Sequence, residues 1–363
     1  MKSAQVNPDS PQRIFGLDLY RAIAIIWVVM SHGGFLLNTT PISGFPFFKT
    51  IDGVDLFFVL SGFLIGGILL RSLQPWKAFG WKAVLQFWKR RWFRTLPNYY
   101  LILLVNVVFV STGIIREDIT QFNWKFFFFL QNFSSPFFGF FWESWSLAVE
   151  EWFYIITPLV LSVLLRFLPA KQSFLAVSLL LMVFPLCYRI SILDPQVDGF
   201  WYDSIFRKLV LTRLDSIAFG LAAAWIYFYY PEQWARYRGL AAAIGLVAMV
   251  FVVRYQPPIG SFYKQALYFS LTPLASVLLI PWAQGMTRAS GWWARAITHI
   301  SKISYSMYLI NLALVAEVIR DHFMPTGAVD GMVLYAVYWL VVIGASTLLY
   351  RYFERPVMNL RDR

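Results

Sequence analysis

An all-α, polytopic membrane fold is predicted by three features of this 363-residue sequence. Hydrophobic residues make up 59% of the chain, charged residues only 14%, and mean hydropathy is +0.59. Such a balance belongs to a chain solvated by lipid rather than to a soluble core. The apolar residues also cluster in runs that approach the ~20 residues needed to cross ~30 Å of hydrocarbon. About ten spans are expected, near 17–36, 54–70, 97–114, 145–166, 173–190, 211–230, 239–254, 266–283, 303–320 and 332–350. Residues 124–142 (WKFFFFLQNFSSPFFGFFW) stand apart. Their aromatics and central Pro136 suit an interfacial or re-entrant segment better than a full crossing. With no linker or internal repeat visible, residues 1–363 are expected to form one transmembrane domain without an appended soluble domain.

The first span carries Arg21 and His32, separated by ten uncharged residues (AIAIIWVVMS). Eleven helical steps of ~100° return to within ~20° of the same face, and they rise ~16 Å. One stripe therefore bears a fixed cation deep in the apolar layer and a titratable base near its far end. Ionisable groups at that depth are functional by default, because hydrocarbon makes them costly. The plainer reading, two snorkelling residues, suits His32 better than Arg21, for which Asp18 supplies only part of a partner. The run also reads as a helix rather than a cleavable leader, since Asp18 and Arg21 interrupt it and no A-x-A exit follows.

The second span opens with Asp55 in GVDLFFVLSGFLIGG. Before the third lies FWKRRWFRTLPNYY, in which Arg90, Arg91 and Arg94 alternate with Trp88, Trp92 and Phe93. Such a run anchors topology, or it cradles a nucleotide, with guanidinium forks on phosphate oxygens and rings against a base. The fourth span begins ESWSLAVEEWF, carrying Ser146, Glu150 and Glu151. The two glutamates differ by ~100° on a helix, so at most one faces His32. Arg213 and Asp215 open the sixth. A base, carboxylates and an arginine in one low-dielectric layer are the ingredients of proton-transfer chemistry.

Orientation follows from the basic residues. With ten spans and an inside N-terminus, twenty of the 31 Lys and Arg residues fall in inside sections, including Lys2, Lys77, Arg361 and Arg363. That bias predicts both termini in the cytoplasm. The net charge of +12 is then mainly a topology signal, and no nucleic-acid partner is needed to explain it. One cysteine, Cys187, excludes an internal disulfide and a cysteine metal cluster.

Seven motifs in order resemble the acyltransferase-3 family of bacterial multi-span membrane O-acyltransferases. They are Gly16–Arg21 with Arg-X10-His32, Gly53-Val-Asp55 through Ser61-Gly62, and Arg90-Arg91-X2-Arg94-X2-Pro97-X-Tyr99. Trp145-Ser146-Leu-X2-Glu150-Glu151, Arg213-Leu-Asp215, Ser304-Tyr305-Ser306-Met-Tyr308-Leu309 and Phe353-Glu354-Arg355-Pro356 complete the set. One departure stands out: family members commonly carry Trp-His where this chain has Ile310-Asn311. The resemblance implies an enzyme of the bacterial cytoplasmic membrane that uses acetyl-CoA (acyl-CoA) as donor and an envelope glycan or glycolipid as acceptor, with no metal. His32 would be the base, assisted by Glu150, Glu151 or Asp55. Arg21, Arg90, Arg91 and Arg94 would bind CoA, and Ser146, Arg213 and Asp215 the acceptor. Many members also carry a periplasmic hydrolase-like domain, so a separate periplasmic partner enzyme is a further expectation. Two rival readings rest on the same residues: a proton-coupled transporter, and an acyl conduit feeding such a partner.

Overall fold

The computed structural model describes residues 13–41, 43, 52–73 and 80–360. Four residues used above for orientation, Lys2, Lys77, Arg361 and Arg363, lie outside the described residues. No strand occurs among the described residues. The first six membrane-length helices are α1 (Phe15–Leu37), α2 (Gly53–Ser72), α3 (Trp81–Ser111), α4 (Ser144–Leu164), α5 (Ala170–Ser191) and α6 (Val210–Tyr229). After α7 (Arg238–Arg254) come α8 (Tyr263–Gly285), α9 (Trp292–His322) and α10 (Ala328–Leu360). Among the described residues, nine of these ten are long and apolar enough to cross a membrane. The exception, α7, has 17 residues. At ~1.5 Å per residue it reaches ~26 Å, a little short of the hydrocarbon layer.

Three helices outrun the expected spans. α3 has 31 residues, α9 has 31 and α10 has 33, so each exceeds the hydrocarbon thickness. The basic run at Arg90–Arg94 is therefore not a loop before the third span. It forms the first turns of α3 itself, because Lys and Arg are good helix formers and nothing from Trp81 to Leu96 breaks the helix.

The innermost pair is α2 against α6, which pack so closely that only glycine fits at the crossing. A Cβ on Gly62 would lie 2.0 Å from the Ile217 carbonyl oxygen, and one on Gly220 2.0 Å from that of Val59. Small residues at such crossings let dispersion replace the hydrophobic drive that lipid does not supply. α1 packs on α2 and α9, its first turn fixed by Gly16 N–H donating to the Met286 carbonyl at 2.8 Å.

The aromatic segment 124–142 does not form a membrane-length helix. It contains the 3-10 turn Trp124–Phe128 and two left-handed residues, Phe129 (φ 57°) and Phe141 (φ 47°). Side chains of the neighbouring helices take up its carbonyls. Tyr99 Oη donates to Phe126 O at 2.8 Å, Tyr100 Oη to Phe127 O at 2.7 Å, and Trp152 Nε1 to Phe129 O at 2.9 Å. Irregular backbone near a bilayer persists where protein satisfies it in this way.

Glu117, in the loop after α3, accepts the Phe141 N–H at 2.8 Å. Burial, aided by the nearby Glu317 and Asp321 carboxylates, pushes its carboxyl up to about 7 against the opposing effect of that hydrogen bond. Between the ordinary carboxylate range and pH 7 the folded chain keeps a proton that the unfolded chain releases. Stability contributed here therefore falls as pH rises through that window, and levels off above it. Glu117→Gln should melt above the native chain at pH 8 in detergent, with the gap closing toward pH 5. Equal melting temperatures at both pH values would contradict this.

Candidate functional site

Two connected cavities run into the bundle from the end where α1 begins. The outer one, about 440 Å³, is lined among others by Arg13, Asp18, Arg71, Gln284 and Lys302. It shares Arg21, Leu64 and Arg94 with a narrower inner cavity of about 100 Å³. The inner cavity passes Arg91, Ser61 and Glu150 and reaches Ser146, Tyr305 and Tyr308.

Of the basic residues singled out in the sequence, Arg21, Arg91 and Arg94 line this space, whereas Arg90 is exposed and lines neither cavity. Arg21 does not pair with Asp18. That carboxylate takes Arg13 and the Ser301 hydroxyl (2.9 Å) instead. Among the described residues, Arg21 and Arg94 make no hydrogen bond or ion pair. Two partnerless guanidinium groups on one cavity wall make it attractive to an anion. The tryptophans beside them face one another: Trp88 stacks on Trp92 at 5.6 Å and donates to the Tyr154 carbonyl at 2.9 Å. They are packing residues in this state, not an open base slot.

The adjacent glutamates diverge as the helical angle requires. Glu150 lines the cavity at the level of the arginines and accepts from Ser61 Oγ (2.5 Å) and Tyr154 Oη. Glu151 turns away, 3% exposed, and accepts from Thr95 Oγ1 of α3 at 2.6 Å. Neither glutamate hydrogen-bonds His32. The partner found there is Asn311, whose Oδ1 lies 2.6 Å from His32 Nδ1.

Asp55, Arg213 and Asp215 were expected beside His32 in catalytic and acceptor-binding roles. In the structure they form buried ion pairs, Asp55 with Arg213 and Asp215 with Arg189 (2.7 Å), and none lines either cavity. The Arg213 guanidinium also sits 4.7 Å from the Phe269 ring centroid. Charges enclosed this completely need partners, and unpairing one is strongly destabilising. Ser146 does reach the cavity. Its hydroxyl is 2.5 Å from Tyr308 Oη, which in turn donates to the Glu143 carbonyl at 3.0 Å, so the Ser146 hydroxyl is the donor of the pair.

The charges that act most strongly on His32 are Arg207, Asp52 and Lys208. Arg207 bridges Asp52 (2.9 Å) and Asp203 (3.0 Å), and Lys208 meets Asp203 at 2.5 Å. Burial works to raise the Asp52 carboxyl, but Arg207 and Arg213 outweigh it and hold it below its ordinary range. Sequence reading did not single out this bridge, nor Arg189 or Glu143. Arg189 stands at the end of α5 with no motif around it, and Glu143 precedes a motif without belonging to it.

An acyltransferase-domain family profile matches residues 14–351. A Staphylococcus aureus (strain COL) protein carrying a provisional O-acetyltransferase name is 28% identical over 94% of this chain and 56% of its own length. The O-acetyltransferase OatA of S. aureus strain NCTC 8325 is 27% identical over 96% of this chain and 58% of its own length. The chain thus spans little more than half the length of the curated relatives it matches. No solved structure matches. With its profile match covering nearly every described helix, the chain belongs to the acyltransferase-3 family.

Proposed function

We propose that this protein is a membrane O-acyltransferase that moves an acyl group, acetyl by preference, from cytosolic acyl-CoA to a hydroxyl of an envelope glycan or glycolipid. The observation that carries the reading is the pair Arg21 and Arg94. Without partners among the described residues, they line a cavity that opens at one end of the bundle and ends at Ser146 and Tyr308. Tyr308 is one helical turn from Asn311, the partner of His32. An extended donor suits that space. Arg21, Arg91 and Arg94 hold its phosphates, and its arm runs up the cavity to bring the thioester to the hydroxyl pair. The ~16 Å rise from Arg21 to His32 is a length that an extended arm spans.

At the far end, His32 removes the proton of the acceptor hydroxyl as its oxygen attacks the thioester carbonyl. The carbon–sulfur bond then breaks, and the proton on His32 passes to the departing thiolate. A positioned base of this kind contributes ~10²–10⁴-fold. The Ser146 and Tyr308 hydroxyls, bonded to each other and to the Glu143 carbonyl, form the polar inner end of the cavity at which the thioester arrives. Glu150, joined to Ser61 and Tyr154, keeps the cavity wall hydrogen-bonded beside the arginines.

The test is acceptor-dependent release of free CoA thiol by the purified chain in nanodiscs given acetyl-CoA. A transporter releases none, and an acyl conduit releases it only with the partner present. The reading also takes α7 as a tenth crossing, so that both termini face the cytoplasm. In a Cys187→Ser background, Lys82→Cys should react with an impermeant thiol reagent only from the cytoplasm, and Asp198→Cys only from the periplasm. Three helices, α3 to α5, separate the two positions. Reaction from one side would place the donor cavity and His32 on the wrong faces.

A further inference from the structure

His32 has two ring nitrogens, and the structure distinguishes them. Asn311 is fully buried, and its Nδ2 donates to the carbonyls of Met307 and Tyr308, each at 2.8 Å. Both amide protons are thereby used, and Oδ1 is the end that faces His32 at 2.6 Å. Turning the amide over would let it donate to a bare Nδ1 but would set its oxygen against two carbonyl oxygens, giving up two hydrogen bonds for one. An amide oxygen only accepts, so Nδ1 must carry the hydrogen. Nε2 then holds the lone pair.

The surroundings keep Asn311 in that pose. It is the first residue of a π-helical turn, Asn311–Ala316, inside α9. Such a turn re-aims side chains relative to a regular helix and often marks a functional position. One N–H of this turn, that of Ala313, is taken by the buried Glu143 carboxylate at 3.1 Å. From α10, the buried Tyr338 hydroxyl lies 3.1 Å from the Val29 carbonyl and 3.4 Å from Asn311 Oδ1. Contacts from Glu143, just before α4, and from Tyr338 of α10 thus hold the Asn311 turn.

We infer that Asn311 is a positioning residue that locks His32 as its Nδ1–H tautomer, leaving Nε2 as the one ring atom able to take the acceptor proton. This rests on the proposed role of His32 as base. In the transfer step the acceptor O–H proton goes to Nε2, while the oxygen forms its bond to the acyl carbon. The same proton then leaves Nε2 for the thiolate sulfur as the carbon–sulfur bond breaks. Nδ1 keeps its hydrogen on Asn311 throughout, so an acyl-histidine, if one forms, bears its acyl group on Nε2. A histidine held in the wrong tautomer loses on the order of 10⁴ in the catalytic triads where this has been separated from geometry.

The direct experiment is ¹⁵N NMR of histidine-labelled protein in detergent, with His299→Gln and His322→Gln leaving His32 as the sole histidine. At a pH where the ring is neutral, the wild-type Asn311 protein should show a protonated Nδ1 and a bare Nε2. Asn311→Leu, similar in size but lacking the acceptor, should give mixed or reversed tautomers. Its kcat should fall at least about 10²-fold while KM for acetyl-CoA changes less than about twofold, because Asn311 does not line the donor cavity. A bare Nδ1 in the wild-type protein overturns the inference without any variant needing to fold. An unchanged tautomer in Asn311→Leu overturns it as well. Failure of the broader reading is separate: normal turnover by His32→Ala would remove the base and leave the tautomer assignment standing.

Discussion

His32→Ala is expected to retain less than about 1% of native acyl transfer while inserting and binding acyl-CoA as the native chain does. The expected size is that of a general base, ~10²–10⁴-fold. The sparing of donor binding follows from the structure, since His32 lines neither cavity and is ~16 Å along α1 from Arg21. Transfer assayed at matched membrane levels, together with calorimetric binding of CoA, checks both halves. Turnover within about threefold of native would take His32 out of the mechanism.

The second large effect concerns the cations. Arg94→Ala and Arg21→Ala should each weaken acyl-CoA binding tenfold or more, because a hydrogen bond to a charged group is typically worth ~1.5–3 kcal/mol. Lysine at either position should restore binding only in part, since the planar fork is lost. Arg90→Ala should leave binding within about twofold of native. It belongs to the same sequence cluster but faces away from the cavity, so the contrast separates a built anion site from a topology anchor. Equal losses in all three variants would favour long-range attraction by the cluster as a whole, and no loss in any would leave only anchoring.

Much of the bundle was legible because lipid imposes a coarse rule. Runs of about 20 apolar residues found α1, α2, α4, α5, α6 and α8 close to where they lie. That rule gives the apolar part of α3 but not its full length, because the helix continues through the charged residues that precede the expected span. Helical geometry was informative within one element. The ~100° between Glu150 and Glu151 predicted that they would part, and they do, one to the cavity and the other to Thr95. Which of them would meet His32 was beyond that reasoning, because the true partner is 279 residues away on a π-turn that no local pattern announces. Arg189 was invisible for a related reason. It pairs with Asp215 across the packing of α5 on α6, and tertiary approach alone brings the two charges together. The charged motifs at Asp55 and Arg213 were each visible in the sequence, but that they neutralise one another is a fact of the fold.

Mass spectrometry of envelope glycans and glycolipids from cells with the native chain, without it, and with His32→Ala at equal membrane abundance tests the central claim most directly. The account predicts an acetyl-sized increment on one acceptor that is present only with the native chain and disappears in the other two. Identical spectra in all three, or an increment that survives His32→Ala, would contradict it.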